Sequence, residues 1–215
     1  RKGYYIRVYK RIPMRYLLFP LLVSVVFVSC ETKTPAPEAT TPADTTQVKT
    51  NSLPMPRVWE MKTNTGKTII AHETHPKGAS LSDVSTYFQG DSTGALTFTD
   101  IDPISTIIVG DLDKNGFDDL YMISTSAGSG SYGTINGVSS NRDKSLSLLA
   151  VPEMDPNDLK PGKLFDGYEG HDRYAFENGV LIRRFPYKGD TLNMKSVPYQ
   201  VVMGEGALIV TPKRN

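Results

Sequence analysis

Apolar and β-branched positions recur along this chain in short runs and never in a sustained stripe. The runs fall at residues 58–61, 67–72, 84–88, 95–98, 107–109, 120–123, 146–151, 173–176, 180–184, 199–203 and 207–210. Such short runs, separated by Gly, Asn, Asp and Pro, predict strands at the spacing of a sandwich or barrel. No long stretch carries a 3.6-residue apolar period, so the expected fold is all-β and antiparallel, with little helix. Asn178-Gly179 lies between Tyr174-Ala175-Phe176 and Val180-Leu181-Ile182. It predicts a two-residue hairpin, because both central residues of a type I′ turn need φ > 0. Asn64-Thr65-Gly66, Lys188-Gly189-Asp190 and Gly204-Glu205-Gly206 are further candidate turns.

The pattern is densest between residues 107 and 133. Ile107-Ile108-Val109 and Leu120-Tyr121-Met122-Ile123 flank an acidic turn, Asp111-Leu112-Asp113-Lys114-Asn115-Gly116, and read as a second hairpin. A loop of small residues with one aromatic follows: Ser126-Ala127-Gly128-Ser129-Gly130-Ser131-Tyr132-Gly133. It is too small and too glycine-rich to be core, and loops held out on rigid scaffolds are where binding residues concentrate.

The first 56 residues depart from this pattern. Six basic side chains, Arg1, Lys2, Arg7, Lys10, Arg11 and Arg15, precede an apolar run at 16–28 that is too short to span a bilayer. Residues 1–29 therefore read as a secretory signal, with Met14 a candidate start. Cys30 is the one cysteine, so no internal disulfide can form. Phe27-Val28-Ser29-Cys30 resembles a bacterial lipobox, with Phe27 in place of the usual Leu. The resemblance implies a lipid on Cys30 and attachment to the cell envelope, most simply at the outer membrane. Residues 30–56 are rich in Pro, Thr and Ala, with little to bury, and read as a disordered tether. Residues 57–215 are then one domain of ordinary size. Without residues 1–29 the chain carries 18 basic and 23 acidic side chains, a net charge of −5. That argues against a nucleic-acid partner and leaves room for a basic protein.

Several motifs carry candidate chemistry. Asp111, Asp113, Asn115 and Asp119 place oxygens at alternate positions around a glycine, as calcium loops do. An EF-hand would need Glu at the twelfth position, where Met122 stands, so the closer likeness is to the calcium loops inside hairpins of integrin-type propeller repeats. A single copy excludes a propeller. Asp, Asn and Gly also close tight turns without an ion. Gly128-x-Gly130-x-x-Gly133 matches the dinucleotide fingerprint, but Thr134-Ile135-Asn136-Gly137 reads as strand and turn where a helix should open. No serine here sits in a Gly-x-Ser-x-Gly elbow. His171-Asp172 could supply a base and an orienting acid, yet adjacent strand residues face opposite sides, so a hydrolase built on Ser129 or Ser131 with His171 is a third and weaker reading. His72, His75 and His171 read as surface or network histidines rather than a zinc set. Tyr132 offers a large amphipathic contact among residues small enough for close approach, or else folds inward at the start of the next strand.

Three of these segments together resemble the periplasmic inhibitors of invertebrate-type lysozymes. They are Lys67-Thr68-Ile69-Ile70-Ala71-His72-Glu73, the Asp111-Leu112-Asp113…Gly116 turn, and the loop from Ser126 to Gly133. The resemblance implies an antiparallel β-sandwich and a Ser-Gly-x-Tyr loop inserted into the lysozyme active-site cleft. Ser129, Gly130, Ser131 and Tyr132 then form the partner-binding segment. The expectation is a lipid-anchored, non-catalytic domain that binds and inhibits a lysozyme and requires no cofactor. The alternative is a calcium-stabilised surface module that binds glycan or protein.

Overall fold

A computed structural model describes residues 54–204 and 206–214. The signal segment, Cys30 and the tether up to residue 53 lie outside the described residues. Twelve strands run in order: β1 (Arg57–Lys62), β2 (Thr68–Thr74), β3 (Ser82–Phe88), β4 (Asp91–Ile101), β5 (Ile104–Gly110) and β6 (Asp119–Thr125). They continue as β7 (Gly133–Ser140), β8 (Leu146–Leu149), β9 (Arg173–Glu177), β10 (Val180–Tyr187), β11 (Asp190–Met203) and β12 (Leu208–Pro212). A short 3₁₀ turn, Pro156–Leu159, lies between β8 and β9. The strands form three antiparallel sheets of four, β1-β2-β3-β4, β5-β6-β7-β8 and β12-β11-β10-β9. The expected antiparallel all-β fold is what forms.

The sandwich has three layers, and β6 shows why. Its apolar run is continuous rather than alternating, and six of its seven residues are buried. A strand of that kind needs cover on both faces. Leu120 and Met122 turn to one core with Ile69, Ala71 and Val84 of the first sheet. Tyr121 and Ile123 turn to a second core with Leu181, Phe185, Val197 and Val210 of the last sheet. Full burial of each such side chain contributes about 1.5–3 kcal/mol.

The local turn chemistry is realised. Asn178 and Gly179 have φ of 51° and 75° and join β9 to β10 with Glu177 opposite Val180. Lys188 and Gly189 do the same between β10 and β11, with φ of 49° and 74°. Thr63 N donates to Lys67 O (2.8 Å) around Gly66, and Gly204 N donates to Ala207 O (2.9 Å) between β11 and β12.

Three stretches differ from the sequence expectation, the first being β4, which runs Asp91–Ile101 where a strand at 95–98 was expected. Residues 133–140 form a full strand, β7, paired on both sides. Its two glycines and two terminal serines hide the apolar pattern. Gly137 is small because the chain approaches closely there; a Cβ would lie 3.2 Å from Leu120 O. β11 begins at Asp190, not at 199, because its mostly exposed first half pairs with β10 despite its polar sequence.

Candidate functional site

The small-residue loop joins β6 to β7 and is closed at its neck by its own chain. Ser126 N donates to Tyr132 O, and Tyr132 N donates to Ser126 Oγ, both at 3.0 Å. Inside it, Ser131 N donates to Gly128 O (3.0 Å), with Ser131 at φ 43°. The Tyr132 ring lies over Gly130, where a Cβ would sit 2.7 Å from its Cζ. Only glycine leaves that space. Tyr132 is 49% exposed, so it does not fold inward as a core residue. Its ring instead meets the edge of Tyr168, with centroids 5.8 Å apart. Ser129 is exposed and Ser131 half-buried. No helix follows Gly133, so the dinucleotide fingerprint has no phosphate-binding terminus behind it.

The loop is held from outside by Tyr168, Tyr174 and Arg183, to which the sequence assigned no role, and by Asp172, weighed only as the orienting acid of a hydrolase. Gly133 N donates to Asp172 Oδ2 (2.7 Å), and Gly133 O accepts from Tyr174 OH (3.2 Å) and Arg183 Nη2 (3.4 Å). Arg183 binds Asp172 as a fork, Nε to Oδ1 at 2.6 Å and Nη2 to Oδ2 at 2.7 Å. Tyr168 OH donates to Asp172 Oδ2 (2.6 Å) and also meets Arg183 Nη2, whose guanidinium stacks over the Tyr168 ring at 4.7 Å. Burial opposes the charge on Arg183, but Asp172 and the surrounding tyrosines outweigh it and raise its pKa. Burial, followed by the bond to Asp172, raises Tyr168. At Tyr174 burial outweighs the opposing pull of Arg183 and raises it as well, so both phenols stay protonated donors.

One signal in the sequence does point to this cluster. Leu181, Arg183 and Phe185 share one face of β10, so Arg183 occupies a core-facing phase and is only 7% exposed. Glu73 follows Ile69 and Ala71 on β2 in the same way, and Asp119 precedes Tyr121 and Ile123 on β6. A charged residue in the apolar phase of a strand marks a buried polar network.

The acidic turn is closed by its own hydrogen bonds. Asp111 accepts from Asn115 N (3.0 Å) and Gly116 N (2.9 Å), and Asp113 accepts from Asn115 N and Nδ2, both at 3.0 Å. Asn115 Oδ1 accepts from Phe117 N (2.8 Å). Asp119 is set apart in the core, accepting from Tyr121 OH (2.9 Å) and Ser140 N (3.1 Å). Burial raises its pKa to about 6. Burial, and then the neighbouring Asp111, also raises Asp113. Among the described residues no group of three or more His, Cys, Asp or Glu side chains is placed to hold a metal.

The histidines and serines do not assemble into a hydrolase site. His75 is buried and its Nδ1 lies 3.1 Å from Ser82 Oγ, which donates to Glu73 at 2.7 Å. His171 is exposed, and Asp172 is engaged by Arg183, Tyr168 and Gly133 rather than by its imidazole.

No protein-family profile matches the chain, and no curated protein matches it. Among solved structures it is similar to a periplasmic lysozyme inhibitor of I-type lysozyme from Aeromonas hydrophyla. The identity is 21% and the TM-score 0.38, over 47% of this chain and 92% of that one.

Proposed function

We propose that this chain is a lipid-anchored envelope protein that inhibits a lysozyme by inserting the Ser129–Gly130–Ser131–Tyr132 segment into the enzyme's active-site cleft. One observation carries the reading. Tyr132 stands half exposed on a loop tied at its neck and clamped at Gly133 by a buried ion pair. A loop already ordered forfeits little entropy on binding, and a rigid tyrosine makes a large contact with few rotors to freeze. The Ser-Gly-x-Tyr resemblance supplies the class of partner. No catalytic group is required, and the lipid on Cys30 would hold the domain at the membrane on its tether.

The test is a titration of the purified protein against invertebrate-, chicken- and goose-type lysozymes acting on a cell-wall suspension. Selective inhibition of one class is expected. Tyr132→Ala should weaken it by at least about 30-fold and Ser129→Ala by less, with melting unchanged. Full inhibition by Tyr132→Ala would remove the loop from the mechanism, and inert wild-type protein would remove the function.

A further inference from the structure

We propose that the partner-binding surface has a second half, residues 167–172, and that His171 on it donates an imidazole N–H to carboxylates of the partner's cleft. The proposal rests on the inhibitor reading above and deepens it by naming a further contact residue and the chemistry it meets.

Three observations join this segment to the Tyr132 loop. His171 N donates to Gly130 O at 2.7 Å, a backbone bond between the two loops. Gly170, at φ 92°, has no room for a side chain: a Cβ would collide with Gly130 O and lie 3.2 Å from Tyr132 Cδ1. Tyr168 supports the Tyr132 ring edge to face. The two loops therefore form one surface, on which Ser129, Tyr132 and His171 are all exposed.

Among the described residues the His171 imidazole makes no hydrogen bond or ion pair. His171 has φ 56°, one of eight non-glycine residues at positive φ among the described residues. Glycine would make the same turn at no steric cost, so the turn by itself does not require an imidazole. His75, by contrast, is buried in the Ser82–Glu73 network. A hydroxyl, a phenol and an imidazole are thus exposed donors on two loops joined by a backbone hydrogen bond, and ionised carboxylates only accept. Glycoside hydrolysis generally employs two carboxyl groups flanking the scissile bond, so the cleft of a muramidase offers matching acceptors.

The experiment compares wild type, Tyr132→Ala, His171→Gly and His171→Asn in the lysis titration and by direct binding to an invertebrate-type lysozyme, with melting as the fold control. His171→Gly keeps the backbone conformation and removes the donor; about tenfold weaker inhibition is expected, with melting unchanged or higher. His171→Asn, which restores an N–H donor, should regain part of the loss. If both His171 variants inhibit like wild type while Tyr132→Ala fails, this inference falls and the inhibitor reading stands. If wild type inhibits no lysozyme, both fall.

Discussion

Arg183 is a charged side chain inside an apolar layer, and its partners decide whether that stabilises the protein. A buried pair that loses one member leaves the other charged and unpaired, which costs about 3–5 kcal/mol. Arg183→Met should therefore lower stability by that order, measured by urea unfolding, while Asp172→Asn with Arg183→Met should recover much of it. An unchanged midpoint in the single variant would show that the pair does not support the fold. Asp119 is the opposite case, a buried carboxyl held by neutral donors, and burial raises its pKa to about 6. Its folded-state pKa lies above the ordinary value of 3.8, so proton uptake stabilises the fold. That stabilisation is complete below about pH 4 and is lost as pH rises through about 6. Relative to Asp119→Asn, wild type should gain on the order of 3 kcal/mol between about pH 7 and about pH 4. Unfolding midpoints across that range would test it, and a flat difference would refute it. Glu73 shifts the other way: burial pushes it up, but bonds from Ile104 N and Ser82, with Arg57 beside it, lower it. Its contribution is lost as pH falls, which is why the comparison must be made against the Asp119 variant.

At the scale of elements, the two hairpins that matter differ in how they are held. The acidic turn between β5 and β6 is self-contained, since its carboxylates accept from amides within five residues. Asn64 adds an outside tie, its N donating to Asp118 Oδ2 at 2.6 Å. Because these carboxylates already accept from nearby amides, a thermal melt should be the same in calcium and in chelator. A calcium-dependent rise in the midpoint would make Asp111, Asp113, Asn115 and Asp119 a metal site and favour the calcium-stabilised module. The Tyr132 loop is closed locally at its neck, but the residue that leads out of it, Gly133, is held by Asp172, 39 residues away in sequence. The first hairpin was legible because turn chemistry is local; the second loop's clamp was not, because its partners are distant. β7 was legible only in part, as strand and turn at Thr134 to Gly137, for another reason. A central strand whose neighbours press closely carries glycines and small polar residues, so its sequence resembles a turn.

The described residues form three sheets, and the middle one contributes to both cores. Damage there should therefore be felt on both sides. Leu120→Ala should destabilise by about 2–5 kcal/mol, with far-UV circular dichroism and the fluorescence of Trp59 on β1 unfolding together. Separate transitions would show that the layers fold independently. What the sequence determined by itself is the chemistry that acts over a few residues. That covers the antiparallel strands from alternation and β-branching, the hairpins from Asn-Gly, Lys-Gly and the acidic turn, and the small-residue loop with its single tyrosine. Even the buried charges were written in it, as Glu73, Asp119 and Arg183 in the apolar phase of their strands. Only the tertiary structure decided which partner met each charge, that the sandwich has a third layer, and that residues 167–172 lie against the Tyr132 loop. Those outcomes depend on pairing between segments far apart in the chain, where many partners satisfy the same local pattern and close packing selects one.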